Sequence, residues 1–361
     1  MKICFLNNTL NPKEGRGRYG FNLIDKISKN KDVEIIVLTE EGSGHPLEKS
    51  ILLKSYLLRD FFNIFINAFR IRKYIKKCDI VHALDGYPFG VIAALANIGL
   101  KKKFIISGIG TYSILPLEEI LKKNLLRWAY KKASNILCIS NFTRNQILKR
   151  IKLNNTEVVN LGVDYEKFQI DIKKKRREGK IILSVGALKP RKGYHISIPA
   201  MAQVIKKHNA KYYIVCDKKE KEYIDLVRKH NIEKNVKFFY NISDKELIEL
   251  YHKSSIFLLT PVVLNDNDFE GFGLVYLEAN ACGKPSIGTY KCGAEDAIID
   301  NVTGFLVPQN DIKKTAEAVL KLLDNPGLAK KLGENGRKRA WEMNWKNLSK
   351  KYIDVYKKIV S

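Results

Sequence analysis

Short apolar runs alternate with longer amphipathic stretches along almost the whole chain. Runs rich in Ile, Val, Leu and Phe and bounded by turn residues read as strands. They fall at 2–6, 33–38, 80–83, 103–107 and 135–139, and again at 180–185, 211–215, 236–239, 256–259 and 285–288. Helix-length patterns lie between most of them. Strands alternating with helices predict parallel sheets covered on both faces. The pattern restarts near Lys180, behind the polar, basic stretch IDIKKKRREGK at 170–180, which reads as part of an inter-domain connection. The expected fold class is α/β: two Rossmann-like, doubly wound domains facing across a cleft. Ligands in such domains bind beyond the carboxyl ends of the strands.

A chain of 361 residues, 45% of them apolar, suits two cores better than one. No apolar run reaches membrane-spanning length, and MKICFLNNTL reads as a strand rather than a signal peptide. A cytoplasmic location is expected. The six cysteines are far apart, form no CxxC pair and sit mostly in apolar runs, as reduced buried thiols do. The six histidines show no metal-binding spacing.

The net charge of +26 is unevenly placed. Residues 51–150 carry 18 Lys and Arg against 5 Asp and Glu, whereas 1–50 and 151–168 together balance. Such a block favours anionic membranes, nucleic acid or acidic substrates. No recognition helix, zinc finger or stacking sheet supports nucleic acid, so none is expected as a partner.

The chemistry concentrates in EGFGLVYLE, where Glu270 and Glu278 bracket a Gly-Phe-Gly turn that can open a helix. Helix N-termini attract anions. Gly271 and Gly273 let a ligand approach the backbone, and each carboxylate can accept hydrogen bonds from adjacent hydroxyls. Together they suit a sugar joined through a diphosphate to a nucleoside. The stretch SVGALKPRKG adds a strand running into a loop with adjacent cations, Arg191 and Lys192, after Gly186. Fixed cations of this kind stabilise a departing diphosphate without a metal.

Two further motifs are weaker. GRGRYG (15–20) matches GxGxxG but stands well beyond the first strand, where a dinucleotide fingerprint would follow it directly. It reads as a mobile loop touching phosphate or acceptor, with Gly17 as a donor-binding candidate. The Asp266-Asn267-Asp268 triplet could hold a divalent cation. The cation pair and helix terminus already serve the phosphates, so no metal is expected.

At these residues the chain resembles the retaining, nucleotide-sugar-dependent glycosyltransferases of family 4, which have the GT-B fold. The likeness covers nearly the whole length and is strongest from Ser184 to Pro308. It implies an acceptor domain at 1–168, a nucleotide-sugar domain at 169–343 and a last helix, 344–361, crossing back to the first. By position it assigns Glu270 to donor-sugar hydroxyls and Phe272 and Gly273 to the diphosphate, with Leu274 among the donor-binding residues. Glu278 takes the ribose hydroxyls, Lys192 the phosphates, and Asn241 a place near the base. His82, Gly110 and Thr111 are expected at the acceptor and sugar site. Many members carry arginine where this chain has Ala187, and histidine where it has Ile109.

The resemblance implies a retaining hexosyltransferase using a UDP- or GDP-linked donor, with Lys192, Arg191 and Glu270 at the chemistry and no cofactor. A glycan or lipid-linked acceptor, in surface polysaccharide or glycolipid synthesis, is the expected partner. The stretches 53–77 and 114–132 mix apolar residues with cations. They read either as helices covering a sheet or as basic amphipathic helices lying peripherally on an anionic membrane. A non-catalytic sugar-nucleotide or glycan-binding protein on the same fold is the competing reading, prompted by Ala187 and Ile109.

Overall fold

The computed structural model describes residues 1–12, 15–57, 60–169 and 180–361. The chain divides into two compact units, Met1–Leu161 with Trp345–Ser361, and Gly162–Asn344. The break expected after 168 thus falls after Leu161. Phe168 explains the difference: its ring packs edge-on against Tyr251 at 5.7 Å, and its carbonyl accepts from Cys282 Sγ. The segment before the connection is therefore already committed to the second unit. The connection itself, up to 179, lies outside the described residues.

Unit 1 is built on β1 (Lys2–Asn7), β2 (Glu34–Thr39), β3 (Glu48–Ser50), β4 (Ile80–Ala83), β5 (Lys103–Gly108), β6 (Asn135–Cys138) and β7 (Thr156–Val158). All pair in parallel, in the order β3-β2-β1-β4-β5-β6-β7. Its helices are α1 (Gly15–Ile27), α2 (Phe61–Ile75), α3 (Val91–Ala96), α4 (Ile120–Lys132) and α5 (Asn141–Leu148). The central strands are buried, as apolar runs covered on both faces must be. The edge strands β3 and β7 have no apolar run (EKS and TEV), and only backbone pairing reveals them.

Unit 2 repeats the plan with β8 (Lys180–Val185), β9 (Ala210–Cys216), β10 (Val236–Tyr240), β11 (Ile256–Leu258), β12 (Ser286–Thr289) and β13 (Gly304–Val307). Their order is β10-β9-β8-β11-β12-β13. Its helices are α6 (Tyr165–Phe168), α7 (Tyr194–Lys207), α8 (Lys221–Lys229), α9 (Asp244–Lys253), α10 (Leu274–Ala281), α11 (Ala294–Ala297), α12 (Ile312–Asp324) and α13 (Pro326–Glu342). In each sheet the winding reverses once, between β1 and β4 and between β8 and β11. Loops leaving such neighbours turn to opposite faces and open a crevice at the carboxyl ends.

The last helix, α14 (Trp345–Val360), belongs to unit 1. Its tyrosines lock it there through a fully buried polar network. His82 Nδ1 meets Tyr356 OH at 2.7 Å, and His82 Nε2 meets Ser107 Oγ at 2.9 Å. Tyr19 OH joins Ser107 Oγ at 2.8 Å and Tyr352 OH at 3.2 Å. The sequence places His82 at the acceptor site; the structure instead packs it inside unit 1. It is wholly inaccessible, and both ring nitrogens are spent on the fold. Burial drives its pKa down to about 3, so the ring is neutral.

An acid sensitivity follows. An unfolded histidine takes a proton below about 6.5, whereas the folded ring refuses it down to about 3. Stability conferred by neutral His82 is full above the unfolded value and is lost as pH falls between the two. One proton corresponds to a slope of about 1.4 kcal/mol per pH unit. Asp85 and Glu40, both raised into this range, contribute slopes of opposite sign, so the His82 component is read as a difference: in urea unfolding from pH 6.5 to 4.5, the slope of the unaltered protein should exceed that of the His82→Gln variant by about this amount. Equal slopes in both proteins would remove His82 as the cause.

Among the described residues no helix is long and apolar enough to cross a membrane. All six cysteines are buried and free.

Candidate functional site

Two loops meet at the reversal of the second sheet. The loop after β8 holds Gly186 and ends in a single 3-10 turn, Pro190–Lys192. It is closed by Gly193, whose φ of 72° is left-handed. A Cβ there would stand 1.7 Å from the Thr260 carbonyl oxygen, so only glycine lets the two loops touch. The loop after β11 runs to Gly273, which begins α10 with φ 86°. A Cβ on Gly273 would press on the Tyr276 ring at 2.5 Å and would stand 3.7 Å from Glu270 Cγ.

The loops bring Glu270 against the adjacent cations Arg191 and Lys192, which precede it by 79 and 78 positions. Arg191 Nη1 lies 2.9 Å from Glu270 Oε2, and Lys192 Nζ contacts the same oxygen. Arg191 Nε also reaches Asp268 at 3.4 Å. Only 11% of the Lys192 side chain and 12% of the Glu270 side chain are exposed. Burial pushes the Glu270 pKa up, but Lys192 and Arg191 outweigh it and pull the group down to about 2. Burial also lowers Lys192 from its ordinary value, with Glu270 opposing. The arrangement is a compact, partly dry cation pair held beside the amino end of a helix, where anions are favoured. Asp268 is engaged with Arg191. Among the described residues no cluster of three or more His, Cys, Asp or Glu side chains is arranged to hold a metal.

The remaining unit 2 candidates are placed as follows. Gly186 adjoins the cations, since a Cβ on it would lie 3.5 Å from Lys192 Cε. Gly271 stands in the loop before α10; Phe272 is buried, and half-buried Leu274 is the first residue of the helix. Glu278, one turn further on, is buried and accepts from Tyr251 OH at 2.8 Å. Asn241 is exposed, at left-handed φ, just after β10, two strands away from β8. Tyr251 had no sequence signal, because α9 supplies it from outside any motif.

Unit 1 carries a second cluster at its own reversal point. Arg16, in the first turn of α1, reaches Asp85 Oδ2 at 3.1 Å just after β4. Its guanidinium stacks over Tyr112 at 4.1 Å and lies 5.7 Å from the Tyr56 ring. Burial raises Asp85 to about 6, with Arg16 opposing. Burial and then the charge of Asp85 raise Glu40 to about 7. Gly110, buried at φ 84°, and half-buried Thr111 directly precede Tyr112 and so stand beside this cluster. The GRGRYG motif is not a mobile loop. It forms the opening turns of α1, and Gly17 is packed against the Asn11 backbone. The motif contributes Arg16 to the cluster. Its partner Asp85 and the tyrosines lie too far along the chain for spacing to have linked them.

Comparison with known proteins gives one consistent result. The description "Glycosyltransferase Family 4" matches residues 15–167, and "Glycosyl transferases group 1" matches 166–339. An uncharacterized glycosyltransferase of Methanocaldococcus jannaschii is 28% identical over 94% of this chain and 93% of its own length. The Staphylococcus aureus capsular polysaccharide biosynthesis glycosyltransferase CapM is 29% identical over 73% of each chain. The crystal structure of Anabaena HepE in complex with UDP superposes with a TM-score of 0.82 and 18% identity, over 99% of this chain and all of that one.

Proposed function

The chain belongs to the group 1 glycosyltransferases, of GT-B fold and nucleotide-sugar-dependent, and from that premise we propose that it transfers a hexose with retention at the anomeric carbon. The donor would be a UDP- or GDP-linked hexose, the acceptor a glycan or lipid-linked sugar. The supporting observation is the convergence of Lys192, Arg191 and Glu270 beside the amino end of α10. The pyrophosphate would dock there, with the ribose hydroxyls on Glu278. Both cations hold Glu270 Oε2, so Oε1 is the oxygen left for a donor-sugar hydroxyl.

In the transfer, the bond between anomeric carbon and phosphate oxygen breaks and its electron pair stays on the phosphate. Lys192 and Arg191 face that developing charge, a role that fixed donors fill without a metal ion. The acceptor oxygen bonds to the same face of the carbon, and its proton passes to the departing phosphate oxygen. No side-chain base is required, which accommodates Ile109. In unit 1, Glu40 can accept a hydrogen bond from an acceptor hydroxyl, Arg16, held by wholly buried Asp85, can donate to one, and Tyr56 and Tyr112 offer flat faces to a sugar ring. The UDP complex of HepE and the product class of CapM support the choice of donor and acceptor. We place the enzyme in the cytoplasm, at the inner face of the membrane.

The test is acceptor-dependent release of UDP or GDP from the donor, with the anomeric configuration of the product read by NMR. Inversion would overturn retention. Tight nucleotide binding without turnover on any acceptor would favour the non-catalytic reading. A companion prediction concerns Glu278, which is buried and oriented by Tyr251. Glu278→Ala should weaken nucleotide affinity by about tenfold or more, the cost of leaving ribose hydroxyls unpaired. Unchanged affinity by calorimetry would refute the ribose role.

A further inference from the structure

We propose that unit 1 docks on an anionic lipid bilayer through the solvent face of α2 and the first turn of α4, presenting the Arg16–Asp85 crevice to a lipid-linked acceptor. The delivery of acceptor rests on the function proposed above; the docking surface stands on its own geometry. The inward face of α2 is ordinary: Ile64, Ala68, Ile71 and Ile75 are buried. Its outward face is not. Phe62, Phe65, Ile66 and Phe69 recur at helical spacing, and Phe62 and Phe69 are 77% and 80% exposed. A surface helix of a globular domain presents polar side chains there, and a contiguous apolar stripe marks an interaction surface.

Along the same helix the stripe gives way to cations. Arg70, Arg72, Lys73 and Lys76 line a groove of about 500 Å³ with Phe69 at its rim. Arg70 and Arg72 donate to the carbonyls of Ile51, Ala96 and Ile98. Among the described residues none of the four cations pairs with a carboxylate. The block 51–150 carries the excess of 18 basic over 5 acidic residues noted above. Aromatic side chains beside unneutralised cations match a bilayer with hydrocarbon beneath anionic headgroups. A second copy docked symmetrically would set the basic groove against or near its own image, so charge complementarity selects the lipid surface.

The position of the stripe links it to the crevice. α2, α3 and α4 pack side by side, and α2 and α4 both start at the carboxyl ends of the strands they follow. Ile120 and Leu121, in the first turn of α4, are 86% and 59% exposed. Lys122 turns inward instead and lies 5.3 Å from the rings of both Tyr56 and Tyr87. Tyr56 in turn borders Tyr112 and Arg16. The apolar edge and the crevice are thus separated by one layer of side chains.

Flotation of the full chain, without donor, tests the docking. Vesicles of phosphatidylcholine mixed with phosphatidylglycerol should carry the protein at low salt and release it at high salt; vesicles of phosphatidylcholine alone should carry far less. Phe62→Ser with Phe69→Ser should reduce the bound fraction about tenfold, through lost apolar burial. Arg70→Gln with Lys73→Gln should reduce binding to the anionic vesicles and flatten its salt dependence. Unchanged urea-unfolding transitions and near-ultraviolet circular dichroism control for folding of unit 1, which holds the substitutions. Retained flotation in the phenylalanine variant would overturn the proposal, as would failure of the unaltered protein to float. A dimer in light scattering that the same substitutions dissolve would assign the stripe to a second copy instead. Binding of single-stranded nucleic acid in place of vesicles would likewise overturn it. Vesicle binding without transfer to any acceptor would sink the function reading and leave the docking intact; transfer to soluble glycans alone would remove only the delivery of a lipid-linked acceptor.

Discussion

Lys192→Ala is expected to lower kcat by roughly 10²–10³ at saturating donor, the loss found when one preorganised donor is removed from a developing negative charge. Lys192 meets the requirements of such a donor. Its ammonium is nearly dry, it is fixed by contact with Glu270, and its side chain lies against Gly186. A cation so placed needs no reorganisation when charge builds, and low exposure keeps water from screening it. Folding should suffer less than catalysis, because Arg191 remains on the same carboxylate oxygen and keeps Glu270 neutralised. A steady-state assay beside a urea midpoint separates the two effects. A fall in kcat with the donor KM nearly unchanged assigns the residue to the transition state. Full turnover would remove the leaving-group role.

The sequence exposed most of what positions this site. The strands at 180–185 and 256–259, and the glycines around them, were visible because a buried parallel strand is an uninterrupted apolar run. The same physics hid β3 and β7: at a sheet edge, pairing by backbone alone leaves no side-chain pattern. β13 was short and lay inside a stretch read for its motif. At the site, Glu270, Arg191 and Lys192 were legible because residue type and loop position both pointed to phosphate chemistry. That all three meet at one oxygen was not, since it depends on Gly193 allowing the β8 and β11 loops to touch. His82 misled for a related reason. A histidine ending an apolar strand reads the same whether its ring faces a ligand or a tyrosine of the last helix. Here Tyr356, 274 positions away, takes it. The stretch 53–77 reads either as a helix covering the sheet or as a membrane-surface helix; α2 buries Ile64 and Ile71 on one face and exposes Phe62 and Phe69 on the other.

Glu270→Gln is expected to destabilise the unliganded protein by about 3–5 kcal/mol, the cost of breaking a buried ion pair from one side. The carboxylate is held down to about 2 by its two cations. An unfolded glutamate titrates near 4.3, so its contribution is present above that value and is lost as pH falls toward about 2. Removing the charge affects the cations unequally. Arg191 still has Asp268 at 3.4 Å, whereas Glu270 is the one carboxylate forming an ion pair with Lys192 among the described residues. A nearly dry ammonium without a counter-charge then waits for an anion. If the pyrophosphate docks here, it supplies that anion, and ligands that bind only the folded state raise its stability by mass action. The variant should therefore melt lower than the unaltered protein without ligand, yet show the larger rise in Tm with UDP or GDP. Transfer should fall at the same time, because the amide turns its one oxygen to the cations and presents an NH2 group where the donor-sugar hydroxyl would find an acceptor. A Glu270 that only reads sugar hydroxyls would leave the nucleotide-induced rise unchanged. An equal rise in both proteins would thus separate the sugar from the phosphates and move the diphosphate away from Lys192.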